Sequence, residues 1–263
     1  MIRIRMAVAG ALLLAACSKA PEDATATYNL GGQPGGMTLK VAANGDARID
    51  MTGNSLIRRD GVDYLVGKDS QGTIVAKLDD LGQVIGTAMK EAGVKPPAPP
   101  QQVEYELVKT GNETIANLPG DLWKLRAKGG KPAPGGDLDA VVSTDPAYSQ
   151  MGKALQLQTR MMTIGMREAG QQQNQMDARV EELMGKGLVL RMGQGLTLDK
   201  VEKAKFDADT FKLPAAALSR EALQARFKAE RERMMQAQKA GPQGGQMPTS
   251  PAAAAPSAAP QGK

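Results

Sequence analysis

Three kinds of side chain in this sequence could do chemistry: one thiol, a few paired carboxylates and a group of methionines. The thiol is Cys17, the only cysteine in 263 residues. Histidine is absent, which removes Ser–His and Cys–His nucleophilic catalysis and every metal site built on imidazole. Asp79–Asp80 and Asp207/Asp209 are the residue types of a general acid and base. Adjacent acidic residues are, however, the ordinary occupants of helix starts and turns. Met161, Met162, Met166, Met234 and Met235 are thioethers that could take a soft ion such as Cu(I). Without histidine or a free thiol to complete such a set, they read first as adaptable apolar filling. No P-loop, GxSxG or dinucleotide fingerprint is present. The expectation is therefore a protein that is not an enzyme and needs no cofactor and no metal.

The surroundings of Cys17 say what the thiol is for. Arg3 and Arg5 form a basic leader, and Met6 to Ala16 are almost unbroken apolar residues. That run is far short of the about 20 residues a spanning helix needs and has the length of a secretory core region. Small residues, Ala15 and Ala16, then stand just before the cysteine. "LAAC", Leu14 to Cys17, resembles the bacterial lipobox, in which the cysteine is acylated and becomes the mature N-terminus. The resemblance implies a signal peptide over 1–16, lipidation of Cys17, a short tether over 17–24 and a membrane partner reached through the lipid. Ser18, where an aspartate would favour retention at the inner membrane, implies the periplasmic face of the outer membrane. A domain without further cysteine must be held by packing alone in an oxidising compartment.

Charge adds little. The chain carries 33 Lys+Arg against 28 Asp+Glu, for a net charge of +5, and two of those charges belong to the leader. The excess is too small to argue for nucleic acid.

The elements follow from periodicity. Asn44-Gly45 and Asp60-Gly61 are hairpin signals of the type I′ kind between alternating runs. "DSQGT", residues 69–73, reads as a third turn and "TGNET", residues 110–114, as another. The N-terminal third therefore reads as an antiparallel meander of about five strands. Residues 79–92 switch to helical spacing, and "KPPAPPQQ" is a stiff connector. After further strands, Asp145 and Pro146 cap and start a helix over about 146–168. Met151, Ala154, Leu155, Leu157, Met161, Met162, Ile164 and Met166 form its wide apolar arc. "QQQNQ", 171–175, reads as a polar loop, "GLVLRM" and "LTLDKVEKAKF" as strands, and "DTFKLP" as a closing strand near Pro214. Ser219 caps an amphipathic helix within 215–240, and 241–263, rich in Pro, Ala and Gly, is expected to be disordered.

"GNETIANLPGDLWKLRA", "AVVSTDPAYSQMGKAL" and "DADTFKLP", taken with this order of elements, resemble the LolA-like superfamily of periplasmic half-barrels that carry lipoproteins or glycolipids. The nearer likeness is to a domain family of unknown function within that group. Asn117 stands where the "G-x-E-T-(I/V)-A-G" stretch of that pattern has glycine. The likeness covers about residues 25–214. It implies an α+β fold: a strongly curved antiparallel meander, an open half-barrel, covered by two helices, followed by the C-terminal helix.

Such a shape suits acyl chains, with Met151, Leu155, Met162 and Met166 lining an apolar pocket on the concave face. The functional expectation is a non-catalytic envelope lipoprotein that binds an acyl chain, a lipid or a lipoprotein tail. The alternative is a structural or interaction lipoprotein with a filled core, meeting a partner through its C-terminal helix and tail. The sequence says nothing about oligomeric state.

Overall fold

The computed structural model describes residues 20–93, 103–130, 136–170, 175–207 and 209–239. Cys17, the leader, the proline connector and the tail from 241 lie outside the described residues. The first six strands are β1 (Ala24–Leu30), β2 (Gln33–Val41), β3 (Ala47–Met51), β4 (Asn54–Arg59), β5 (Val62–Asp69) and β6 (Gly72–Lys77), with burial alternating along the first three. That is one strand more than the meander the sequence suggests. The Asp60-Gly61 turn has both residues at positive φ, 51° and 75°, the type I′ geometry expected of it. Asn44-Gly45 behaves differently, since of the two only Gly45 has positive φ. The Asn44 side chain accepts a hydrogen bond from the Asp46 N–H at 2.9 Å, so an Asx turn within a wider Ala42–Asp46 loop replaces the tight hairpin.

The second half adds β7 (Tyr105–Ile115), β8 (Leu118–Ala127), β9 (Leu138–Ser143), β10 (Leu188–Met192) and β11 (Leu196–Lys203). "TGNET" is not a turn but part of β7. The chain reverses at Ala116–Asn117, where φ is 49° and 63°. Asparagine and glycine are the residues that tolerate this left-handed geometry best, so Asn117 does there what a glycine would. "DTFKLP" forms no strand. Residues 209–211 are a turn, with the Phe211 ring edge-on to Phe206 at 5.2 Å.

All strands join in one antiparallel sheet of order β6-β5-β4-β3-β2-β1-β11-β10-β9-β8-β7. It is α+β and open, neither closed nor strongly curled, which corrects the strongly curved half-barrel. Closure would need β6 to meet β7, and the carbonyl of Val75 on β6 already accepts the Leu218 N–H at 2.9 Å. The segment after β11 begins with Ala204 N–H donating to the Asp23 carbonyl and ends at that β6 contact. It thus runs from mid-sheet to the edge. Ile57 and Val75 alternate away from buried Leu56 and Ala76 yet are buried themselves, and the crossing of this segment accounts for it.

Helices α1 (Leu78–Glu91), α2 (Ser149–Glu168) and α3 (Gln175–Met184) accompany the sheet. α3 corrects the expectation of two covering helices. Its stripe Met176, Val180, Leu183, Met184 has helical spacing, but it follows a polar Gln run that reads as loop. A single 3-10 turn, Pro146–Tyr148, precedes α2, with the Asp145 carboxylate accepting the Ala147 N–H at 2.9 Å. α4 (Arg220–Lys239) begins at Ser219, whose Oγ accepts the Ala222 N–H at 3.2 Å. The first compact unit runs to Gln224, and a second begins at Ala225. Buried Leu223 belongs to the core of the first.

Two buried positions set how tightly these layers fit. A Cβ on Gly152 of α2 would stand 1.9 Å from the Met184 carbonyl oxygen and 2.2 Å from that of Gly187. Gly152→Ala should therefore cost about 3 kcal/mol or more, read as a lower urea midpoint. Gly195→Ala, with nothing within 4 Å, should stay within about 0.5 kcal/mol of the parent. Tyr28 is fully buried and its hydroxyl donates to the Val189 carbonyl at 2.9 Å. Burial pushes its phenol far above the ordinary range. The neutral form is thus the folded form, and its contribution is whole below about pH 10, where an unfolded tyrosine ionises. Above that pH stability should fall by up to about 1.4 kcal/mol per pH unit on this account. Urea titrations at pH 9 and 11 should show a smaller loss in Tyr28→Phe than in the parent.

Candidate functional site

The residues expected to line an apolar pocket lie on one long helix, and the structure separates them. Met151 and Leu155 are buried together with Ala154 and Leu157 in the main core, where α2 packs on β2, β3, β4 and β10. Met162 is 62% exposed and Met166 39% exposed. At 100° per residue all four share a side of the helix. The divergence comes from a change of neighbour along α2. Its first half lies on the sheet, whereas its second half is drawn sideways onto α1, burying Ile164 and Gly165 instead.

That sideways contact depends on missing side chains. A Cβ on Gly82 of α1 would lie 2.5 Å from the Ile164 side chain, and one on Gly165 would lie 2.5 Å from Ile85. One on Gly86 would lie 2.6 Å from Glu168 Cβ. The two helices therefore approach closely through small residues, as ridges fitted into shallow grooves.

An ion network holds the same pair of helices to the sheet. Arg58 and Asp63 face each other across the β4–β5 hairpin, with Arg58 Nε donating to Asp63 Oδ1 at 2.7 Å and Nη2 to Oδ2 at 3.2 Å. Arg160 of α2 reaches the same Asp63 carboxylate with Nη1 and Asp79 of α1 with Nη2. Arg58 Nη1 also donates to the Lys153 carbonyl at 3.4 Å. The Asp63 side chain is 3% exposed. A buried carboxylate held by two guanidinium groups is satisfied and immobile, which suits a structural clamp. The sequence signal for half of it was available, because the Asp60-Gly61 turn fixes which residues stand opposite. Arg160, distant in sequence, carried no such signal.

The other carboxylate pairs are also committed. Asp80 accepts two bonds from Arg220, at 3.1 and 3.0 Å. Asp207 accepts the Asp209 N–H and the Thr210 hydroxyl, at 3.1 and 3.0 Å, and Asp209 pairs with Lys212 at 3.5 Å. Among the described residues no three acidic, cysteine or histidine side chains converge as a metal site. Of the methionines considered as thioether ligands, Met161, Met162 and Met166 lie on α2. Met234 and Met235 lie in the second compact unit.

Among the described residues a cleft of about 320 Å3 lies between the β7–β8 hairpin and the end of β9, where the chain leads into α2. Asn112, Pro119, Gly120, Asp121, Ser143, Thr144 and Asp145 line it. Its carboxylates are engaged too: Asp121 pairs with Lys109 at 2.8 Å, and Asp145 caps the 3-10 turn. No protein-family model, no curated protein and no solved structure matches this chain.

The clamp is testable by comparing its buried and exposed acids. Asp63→Ala removes the buried acceptor that two arginines share and should destabilise by about 3 kcal/mol. Asp79→Ala, at a side chain 73% exposed, should cost no more than about 1 kcal/mol. Urea unfolding of the two variants beside the parent measures the difference.

Proposed function

We propose that this protein is a lipid-anchored component of the bacterial envelope that works by binding rather than by catalysis. Cys17 carries the acyl groups, and the anchor holds the domain at the periplasmic face of the outer membrane. The single observation that carries this reading is the order basic leader, apolar run, Leu14-Ala15-Ala16-Cys17. An open antiparallel sheet with covering helices is also what the LolA-like resemblance calls for at its coarsest level.

Of the two modes of binding, an interaction module with a filled interior has the better support. Met151, Leu155 and Leu157 are each about 1% exposed among sheet residues such as Leu39 and Ile49 that are wholly buried. The cleft described above is lined by none of these core side chains. On this reading the partner meets the outside of the domain or the segment 215–263.

A second reading, an acyl chain, lipid or lipoprotein tail held against the helix-covered face, draws on Met162 and Met166. These two exposed methionines give an apolar ligand an approach to α2, and methionine adapts to guests of variable shape.

Two measurements test the proposal. Mass spectrometry of the exported protein should find an acylated N-terminal peptide beginning at Cys17, and Cys17→Ser should release the protein into the soluble periplasmic fraction. A bare thiol at Cys17 ends the anchored reading. Organic extraction of the purified domain without its anchor should yield no stoichiometric lipid if the interior is filled, and bound lipid would favour the second reading.

A further inference from the structure

We infer that the end of the sheet carrying the start of β1 is the surface that rests on the phospholipid headgroups. This rests on the anchored reading of Cys17. Three contacts lock the chain as it enters the sheet. Glu22 N–H donates to the Ala147 carbonyl at 3.0 Å, Asp23 Oδ1 accepts the Ala43 N–H at 2.8 Å, and Glu22 pairs with Lys203 at 2.6 Å. Five residue steps lead from Cys17 to Glu22, and fully extended they reach about 17 Å. The headgroup layer itself takes about 5 to 7 Å of that reach. Glu22 therefore stands no more than about 12 Å above the headgroup surface, and the loops level with it share that end of the domain.

Register identifies what shares that end. Ala24 pairs with Val41, Val41 with Ala47, and Ala47 with Arg58. The Ala42–Asp46 loop and the Arg59–Val62 turn thus share the end where β1 begins. Val62, 38% exposed, is the exposed large apolar side chain that a strand contributes among the described residues. It stands opposite Arg59, itself half exposed and paired loosely to Asp60 at 3.5 Å. A valine beside a guanidinium suits the boundary between phosphates and acyl chains. The Gly31-Gly32 and Ser70-Gln71 turns lie at the other end, separated by the length of β5, about 23 Å, and face the aqueous space.

The acylated chain offers no free thiol, so a single introduced cysteine can carry a probe. Ala43→Cys and Gln71→Cys, each in the full-length acylated protein and each bearing the same fluorophore, would be bound to phosphatidylethanolamine–phosphatidylglycerol vesicles containing a headgroup-spin-labelled lipid. Quenching should be several-fold stronger at position 43 than at position 71. Equal quenching, or stronger quenching at 71, overturns the inference while leaving the anchor intact. Failure of the parental protein to float with the vesicles instead overturns the anchored reading, and the inference with it.

Discussion

The antiparallel ladder between β1 and β11 is the joint on which the sheet depends. It runs from Ala24 opposite Lys203 to Leu30 opposite Leu196, pairing residues from opposite ends of the domain. On one side lies a meander of consecutive hairpins, β1 to β6; on the other lie β7 to β11, interrupted by two helices. Each half could form locally, but only this ladder makes them one surface. Two side chains reinforce it. Tyr28 reaches across β11 to the Val189 carbonyl on β10, and Asp23 receives bonds from the β2–β3 loop and from Phe206 beyond β11. A joint of such long sequence separation carries a loop-closure entropy that its seven paired positions must offset.

The helical layer obeys a different constraint, that of close approach. Glycines at 82, 86, 152 and 165 remove side chains where a neighbour's backbone or side chain must come near. Once α1 and α2 touch, Arg160 falls within reach of both Asp63 and Asp79, and the buried carboxylate locks the pair to the β4–β5 hairpin. The same contact turns the second half of α2 off the sheet. Packing between helices, not hydrophobic spacing along one of them, therefore decided which methionines are buried.

This explains what was legible beforehand. Strands with strict alternation and glycine turns were readable, since a period of two and a positive φ are local properties. Asp60-Gly61 behaves as its dipeptide suggests. Asn44-Gly45 does not, because the Asn44 side chain found a backbone partner. Ala116-Asn117 is masked as a turn because "TGNET" offers more turn-forming residues, yet those residues serve as strand. α3 was hidden by the glutamines before it. The fates of Met162 and Met166 were not readable at all, since they hinge on where α1 lies. The acid–arginine clamp was half readable: hairpin register gives Arg58 and Asp63, while Arg160 arrives by tertiary packing.

The bond from Leu218 to the Val75 carbonyl has a consequence for the protein's behaviour at high concentration. An open sheet ends in two rows of unpaired peptide groups, and such rows recruit strands from other molecules. Here the chain covers one of its own borders at Val75, leaving an intruding strand no acceptor at that carbonyl. The far border has a different defence. Arg179 caps the Tyr105 carbonyl at 3.2 Å, and Glu104, Glu106, Lys109, Arg126 and Lys128 crowd β7, its lead-in and its neighbour with paired charge. Each border thus carries a feature that hinders the addition of a strand from a second molecule.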